Sequence, residues 1–298
     1  MKRALWLLQF LLMLLVTLPV AVLPLKVSLK LGECLGGLLF FFWKGRRKIA
    51  IGNLEAAVAR QALAIDSPPE TIIRRNFKNL GKSFAEVVKI YYGLGGRIIQ
   101  SVEIKGIEHY LKAREKGLGI LVITGHCGNW ELNALAVAKK ISKLNIVARP
   151  IDNPYLNRLV ERTREKYGSR VVYKRGALRG ILSALKRNEV VAILMDQSVV
   201  SGEGVAAEFL GKRDYTMKTP AVIAMKTGAP VLPAFIRRAN GGHVIEIGEP
   251  VGIDTSEDTE QAIFHNTVSF SRKIEDYIKK NPAEWLWIHR RWKRFPAG

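Results

Sequence analysis

The first apolar block, residues 4–25, carries no charge and as a helix is long enough to cross about 30 Å of hydrocarbon. Pro19 and Pro24 fall in its second half and predict a kink or an end there. A second apolar block, residues 31–43, is too short to span. It reads as an interfacial or core-packing segment leading into the basic cluster Lys44 to Lys48. Beyond it the pattern changes, and short apolar runs alternate with stretches of helical period. Ser67-Pro68-Pro69-Glu70 opens a helix, with a Ser at the cap and prolines in the first turn. That helix is expected to run to about Tyr92, where Gly93, Gly95 and Gly96 stop it. Strands are expected at 102–105, 119–124, 145–148, 170–173, 190–195, 231–237 and 244–247. Helices are expected near 107–116, 132–141, 154–167, 178–186, 219–226 and 260–280. This alternation predicts an α/β fold: a mixed, largely parallel sheet flanked by helices, preceded by an N-terminal membrane helix. Ligands in such sheets bind beyond the carboxyl ends of the strands.

Charge narrows the class of partner. The chain has 47 Lys and Arg against 26 Asp and Glu, a formal net charge of +21. Nucleic acid, an anionic membrane surface and an acidic carrier protein all suit that sign. The first apolar block favours the membrane. A signal peptide is the alternative, with Lys2 and Arg3 as its basic end, but the stretch is too long and no small-x-small cleavage site follows. An uncleaved transmembrane anchor with its interfacial segment is therefore expected over 1–44, with a catalytic domain over 45–298. More basic residues follow the anchor (Lys26, Lys30, Lys44, Arg46, Arg47, Lys48) than precede it, which predicts a single-pass protein with its domain in the cytoplasm. Cys34 and Cys127 lie far apart in sequence, so no structural disulfide is expected, in keeping with a reducing compartment.

Candidate chemistry concentrates in His126-Cys127-Gly128-Asn129-Trp130-Glu131, between the strand ending at Thr124 and the helical stretch beginning at Leu132. Within one regular helix, five positions would rotate His126 and Glu131 roughly 140° apart. They meet only if His126 lies in the turn and Glu131 in the first turn of the helix. Gly125 and Gly128 make such a turn sterically cheap. A zinc-protease helix would need a second His four positions on, and none is there. The bare spacing also suits an ordinary structural histidine, with Glu131 facing the helix dipole.

The same block resembles the His-x4-acid signature of glycerolipid-type acyltransferases. In its fuller form, His-x-Gly-Asn-Trp-Glu, it resembles the bacterial lipid A late acyltransferases, the lauroyl and myristoyl transferases. Further matches are Arg149-Pro150 with Asp152-Asn153-Pro154, Met195-Asp196-Gln197, and the run from Pro282 to Arg291, so the resemblance covers nearly the whole chain. Cys127 stands at a position that family leaves variable, and Glu284 where glutamine would be expected. The resemblance implies transfer of a fatty acyl chain from an acyl-carrier-protein thioester to a hydroxyl of a lipid A precursor at the bacterial inner membrane. The expected partners are the acidic carrier, a phosphorylated glycolipid and an anionic membrane, with no nucleic acid, no metal and no cofactor. Related alternatives are another glycolipid acceptor such as a phosphatidylinositol mannoside, a lysophospholipid, or a membrane-tethered binding protein without catalysis.

Each candidate then has a role and a plainer alternative. His126 is the expected general base and Glu131 its orienting acid, as in Ser-His-Asp triads. Asn129 and the turn's amides are candidates for the oxyanion. Arg149 and Arg164 match the family's substrate-binding arginines and offer bidentate forks for phosphate; the alternative for Arg164 is a solvated helix face with Arg158, Arg162 and Lys166. Asp196, with Gln197 beside it, ends an apolar strand, where a carboxylate is costly unless paired. An ion pair with an active-site arginine or an Asx turn would satisfy it. Cys127 reads as a buried small hydrophobe in preference to a nucleophile. Trp285 to Phe295 mixes aromatic and basic residues and predicts a membrane-interface belt, with stacking on single-stranded nucleic acid as the rival.

Overall fold

The computed structural model describes residues 2–173 and 176–295. Two helices lead, α1 (Lys2–Val22) and α2 (Leu25–Phe42), followed by α3 (Lys44–Ala59) and the long α4 (Pro69–Tyr91). Pro19 is accommodated inside α1, and the break comes at Leu23–Pro24, where Ser28 Oγ donates to Val20 O at 2.8 Å. The second apolar block belongs to a longer helix than its composition suggested, because Lys26, Lys30 and Glu33 fall on one side of α2 and do not interrupt it. Ser28, Gly32, Gly36 and Phe40 form its buried stripe. This stripe meets α4 so closely that a Cβ on Gly81 would collide with the Gly32 carbonyl. Helix α1 is long and apolar enough to cross a membrane.

The domain then alternates α5 (Gly96–Gln100), β1 (Glu103–Lys105), α6 (Ile107–Arg114), β2 (Ile120–Thr124), α7 (Trp130–Lys140), β3 (Leu144–Ala148), α8 (Pro154–Lys166), β4 (Ser169–Tyr173), α9 (Ala177–Lys186) and β5 (Val190–Leu194). A hairpin, β6 (Gly204–Phe209) and β7 (Lys212–Met217), interrupts the alternation before α10 (Thr219–Thr227), β8 (Val231–Ala239), β9 (Gly242–Ile247) and α11 (Thr259–Lys280). The main sheet has seven strands in the order β1-β9-β8-β2-β5-β3-β4, parallel throughout except for the antiparallel pair β8–β9. This is the mixed, mostly parallel, helix-flanked sheet expected from the alternation.

Period-two alternation on β2 serves two cores. Leu121 and Ile123 join one cluster with Val191, Ile193, Phe270 and Ile274, while Ile120 joins another with Leu132, Leu135 and Leu232. Helices cover both faces, so the carboxyl edge of the sheet remains for chemistry. Register brings two segments together there. Thr124 pairs with Leu194 across the parallel β2–β5 ladder, and two residues beyond each lie His126 and Asp196.

Candidate active site

After β2 the chain turns sharply from Gly125 to Asn129. Cys127 N donates to Gly125 O at 2.7 Å, Gly128 N to Glu284 O at 2.7 Å, and Leu286 N to His126 O at 3.0 Å. Glycine eases the turn at one position and is required at another. A Cβ at Gly125 would press on the Asp196 side chain at 3.1 Å, and Gly128 has φ +54° with the Ile236 carbonyl in the way of a side chain. Asn129 then caps α7, accepting from Leu132 N at 3.1 Å.

His126 Nδ1 lies 2.8 Å from Asp196 Oδ1. Trp285 Nε1 donates to Asp196 Oδ2 at 2.8 Å, and the Asp196 carbonyl accepts from Arg291 Nη1 at 2.5 Å. Burial alone would raise the Asp196 carboxyl. The charge and hydrogen bond of His126, together with the Trp285 donor, reverse this and bring it down to about 2. Burial works against the His126 cation too, yet Asp196 raises its pKa above the usual imidazole value. Gln197 Nε2 sits 3.3 Å from Nδ1 and 3.5 Å from Nε2 of the same ring, and Trp130 stacks edge-on with ring centres 5.2 Å apart.

Glu131, expected to orient His126, makes no hydrogen bond to it here. Its carboxylate is taken by Arg164, which donates through Nε at 2.9 Å and Nη2 at 2.8 Å, and by Tyr91 Oη at 2.9 Å. The physical reason is the strand register: it carries Asp196 to the imidazole, whereas Glu131 on α7 faces α4 and α8. Asp196 correspondingly pairs with a histidine where an arginine was expected. Arg164 is no solvated surface residue, since its side chain is 16% exposed and locked on Glu131. Asn129 is 2% exposed and spent on the cap and on Glu86 Oε2 at 2.9 Å, so its amide is not free to meet an oxyanion. Arg149 follows β3 at the same sheet edge, but its side chain is 83% exposed and its ion pair is with Asp152 at 3.9 Å.

The C-terminal run is not a membrane belt. Trp285 and Trp287 are buried and pack edge to face at 4.7 Å, and Arg291 is fully enclosed beneath the site, its guanidinium 3.9 Å over the Phe209 ring. Arg291 Nη2 donates to Thr216 Oγ1 at 2.9 Å, so the β6–β7 hairpin helps to hold it. Tryptophan beside arginine is ambiguous in sequence between an interface and a buried aromatic brace; the nearby carboxylate decides it.

Sequence alone passed over a second buried cluster. Glu86 on α4 receives both Nη atoms of Arg238 (2.7 and 2.9 Å), lies 2.9 Å from His243 Nε2, and accepts from Asn129. Burial opposes its charge, but His243 and Arg238 bring it down to about 2. It ties the motif to α4, the helix that supplies Tyr91. Glu284 is the reverse case: burial pushes its carboxyl up to about 7, with Arg238 only partly offsetting this. Cys127 is fully buried, and burial followed by the charges of Asp196 and Glu284 pushes its thiol far above the range for a nucleophile.

A cleft of about 290 Å³ opens between α4 and the start of α7, lined by Leu80, Phe84, Val87, Tyr91, Trp130 and Glu131. A narrower apolar cavity of about 40 Å³ runs between α7 and the sheet, with Val122, Thr124, Ala134, Val137 and Leu194 on its walls. Trp130 lines both. The arrangement supplies a carboxylate-held imidazole at a strand end, an arginine–glutamate pair and adjoining apolar space.

Known proteins resemble this chain along most of its length. Residues 2–294 match the sequence profile of the family described as bacterial lipid A biosynthesis acyltransferase. The lipid A biosynthesis palmitoleoyltransferase of Escherichia coli K12 is 28% identical over 93% of this chain and 88% of its own length. The lauroyltransferase of the same organism is 27% identical over the same shares. A phosphatidylinositol mannoside acyltransferase of Mycolicibacterium smegmatis is 22% identical over 75% of this chain and 73% of its own. With its sequence matched almost from end to end, the chain belongs to the bacterial lipid A biosynthesis acyltransferase family.

Proposed function

We propose that this acyltransferase moves a fatty acyl chain from an acyl-carrier-protein thioester to a hydroxyl of a lipid A precursor, on the cytoplasmic side of the bacterial inner membrane. The observation that carries the chemistry is His126, held through Nδ1 by a buried carboxylate. With Nδ1 protonated and donating to Asp196, the lone pair is on Nε2. Nε2 takes the proton of the acceptor hydroxyl as its oxygen attacks the thioester carbonyl. The tetrahedral intermediate collapses, the C–S bond breaks, and the imidazolium returns the proton to the departing thiolate. Asp196 fixes the tautomer and stabilises the imidazolium, and Trp285 holds Asp196. Direct transfer is favoured over an acyl-enzyme because the Cys127 thiol is buried and strongly protonated.

Glu131 is then a positioning residue: it aligns Arg164, whose two bonds to it leave Nη1 for a substrate phosphate. Arg149, exposed at the sheet edge, is suited to a second phosphate contact, with Gln197 beside the reacting hydroxyl. The cleft at Trp130 takes apolar chain. The net charge of +21 favours both an acidic carrier and a phosphorylated glycolipid.

The test uses purified enzyme, labelled acyl-carrier protein and a lipid A precursor, read by mass spectrometry, with a phosphatidylinositol mannoside in a parallel reaction. One added acyl unit on the precursor, lost in His126→Ala, is the expected result. Acylation of the mannoside alone would replace the acceptor, and donor hydrolysis without transfer would leave it unidentified. No turnover in folded enzyme would overturn the reading.

A further inference from the structure

Helix α1 is apolar enough to cross a bilayer, but its contacts argue for another posture. A single stripe of α1 faces the domain: Trp6, Phe10, Met13, Thr17, Val20 and Ala21 are buried or half-buried, and the opposite side is exposed. The stripe is fastened along its whole length by polar side chains of the domain. At one end Asn153 Nδ2 donates to Trp6 O at 2.9 Å, with Tyr155 stacked on Phe10 at 6.0 Å. In the middle Tyr92 Oη lies 2.5 Å from Leu14 O and 3.0 Å from Thr17 Oγ1. At the other end Lys89 Nζ donates to Ala21 O at 2.7 Å and Leu23 O at 2.5 Å.

From Trp6 to Leu23 the fastening covers about 26 Å of helix, nearly the thickness of a hydrocarbon core. Were α1 to cross that core, α4 and α8 would lie at hydrocarbon depth beside it. The Asp152 and Arg149 side chains, 89% and 83% exposed next to Asn153, would be carried to the far side. That is costly for charged and polar groups.

We infer that α1 lies in the plane of the membrane surface, not across it, with its exposed face sunk into one leaflet. Leu8, Leu15 and Val22, spaced seven apart, mark that face, and each is over 60% exposed. Helix α2 repeats the arrangement. It buries its glycine stripe on α4 and exposes Val27, Leu31, Leu38 and Phe42. Cations flank the apolar surface as an anionic bilayer requires: Lys2 and Arg3 at one end, and Lys44, Arg46, Arg47 and Lys48 where α3 begins. Because α1 rests on α4 and α8, the helices that carry Tyr91 and Arg164, an in-plane α1 sets the mouth of the site at the headgroup layer of the same leaflet. The inference concerns posture and does not depend on which glycolipid is acylated.

Spin-label depth in vesicles of phosphatidylethanolamine and phosphatidylglycerol tests it. Full-length protein carrying Cys34→Ser receives a label at Leu8→Cys, Leu15→Cys or Val22→Cys, all on the exposed face, where the fold tolerates them. An in-plane helix gives one depth for all three. A spanning helix puts Leu15 deepest, with Leu8 and Val22 shallower by about 10 Å in opposite leaflets, and that result overturns the inference. So would a steady gradient from Leu8 to Val22, or labels shielded from lipid by another protein copy. The measurement needs no turnover, so its failure is distinct from failure of the proposed reaction.

Discussion

Replacing Asp196 by asparagine tests the central pair most sharply, because size and shape are kept while charge and proton order change. The fall of the carboxyl from 3.8 to about 2, against burial and with His126 and Trp285 both contributing, corresponds to a net of about 2 kcal/mol in favour of the ionised form. Were support of that order withdrawn from the imidazolium formed during transfer, the rate would fall on the order of 10-fold or more. The tautomer adds to this. Trp285 Nε1 occupies one oxygen of the carboxylate as a donor, so the amide oxygen of Asn is drawn to that side and its NH2 is turned toward Nδ1. The histidine proton then moves to Nε2, the atom meant to act as base. Together the two effects predict a loss of about 10³- to 10⁴-fold in kcat/KM, the range for a misoriented base. Transfer would be followed by mass spectrometry from pH 5 to 9. In wild type, kcat/KM rises as His126 loses its proton at a pKa raised by Asp196. In Asp196→Asn the plateau falls, and this limb moves to lower pH because the anion that held the proton is gone. Activity within threefold of wild type, or an unmoved acid limb, would refute the assignment of Asp196 to the histidine.

Other outcomes follow from the same geometry. Cys127→Ala should keep transfer within about threefold, since a buried thiol of this kind is not the nucleophile; an inactive but folded variant would restore the acyl-enzyme. Glu284→Gln should stabilise the protein by up to about 3 kcal/mol at pH 8 and by nothing below pH 4.5. The sign follows from a folded pKa raised from 4.5 to about 7: stability falls as pH climbs between those values, and Gln cannot ionise. Denaturant melts at the two pH values decide it. Gly81→Val should cost at least the ~1–3 kcal/mol of an overpacked contact and loosen α2 from α4; an unchanged melting temperature would contradict the close packing.

Much of this was legible from residue order. The strand–helix alternation gave the parallel sheet because apolar runs of five or six residues between helical periods have few other solutions. It also placed His126 and Asp196 at one sheet edge. The partner of His126 was not legible: proximity in sequence favoured Glu131, while strand register, a through-space property, delivered Asp196. Helix α3 and the β6–β7 hairpin escaped: only the basic cluster Lys44 to Lys48 was read at the start of α3, and Lys212 to Met217 carries Lys, Arg and Asp in place of an apolar run. Trp285 and Arg291 were visible as residues but misassigned in place, since a tryptophan-arginine run looks alike in a headgroup layer and in a core until its acceptor is known. The Glu86 cluster left no local signal, as Glu86, Asn129, Arg238 and His243 come from four separate elements.

The brace formed by Trp285 and Arg291 also bears on the order in which the protein comes into being. Synthesis runs from the N-terminus, so α1, the His126 turn and Asp196 all emerge well before the segment that completes them. Until Trp285 arrives, the Asp196 carboxylate lacks its indole donor, and until Leu286 arrives the His126 carbonyl lacks the amide it accepts from. The apolar helices α1 and α2 are therefore complete in sequence while the His126–Asp196 pair still lacks these supports. Both supports come from one short stretch of chain, Trp285 and Leu286, so the strand-end turn and Asp196 reach their final bonding together and late.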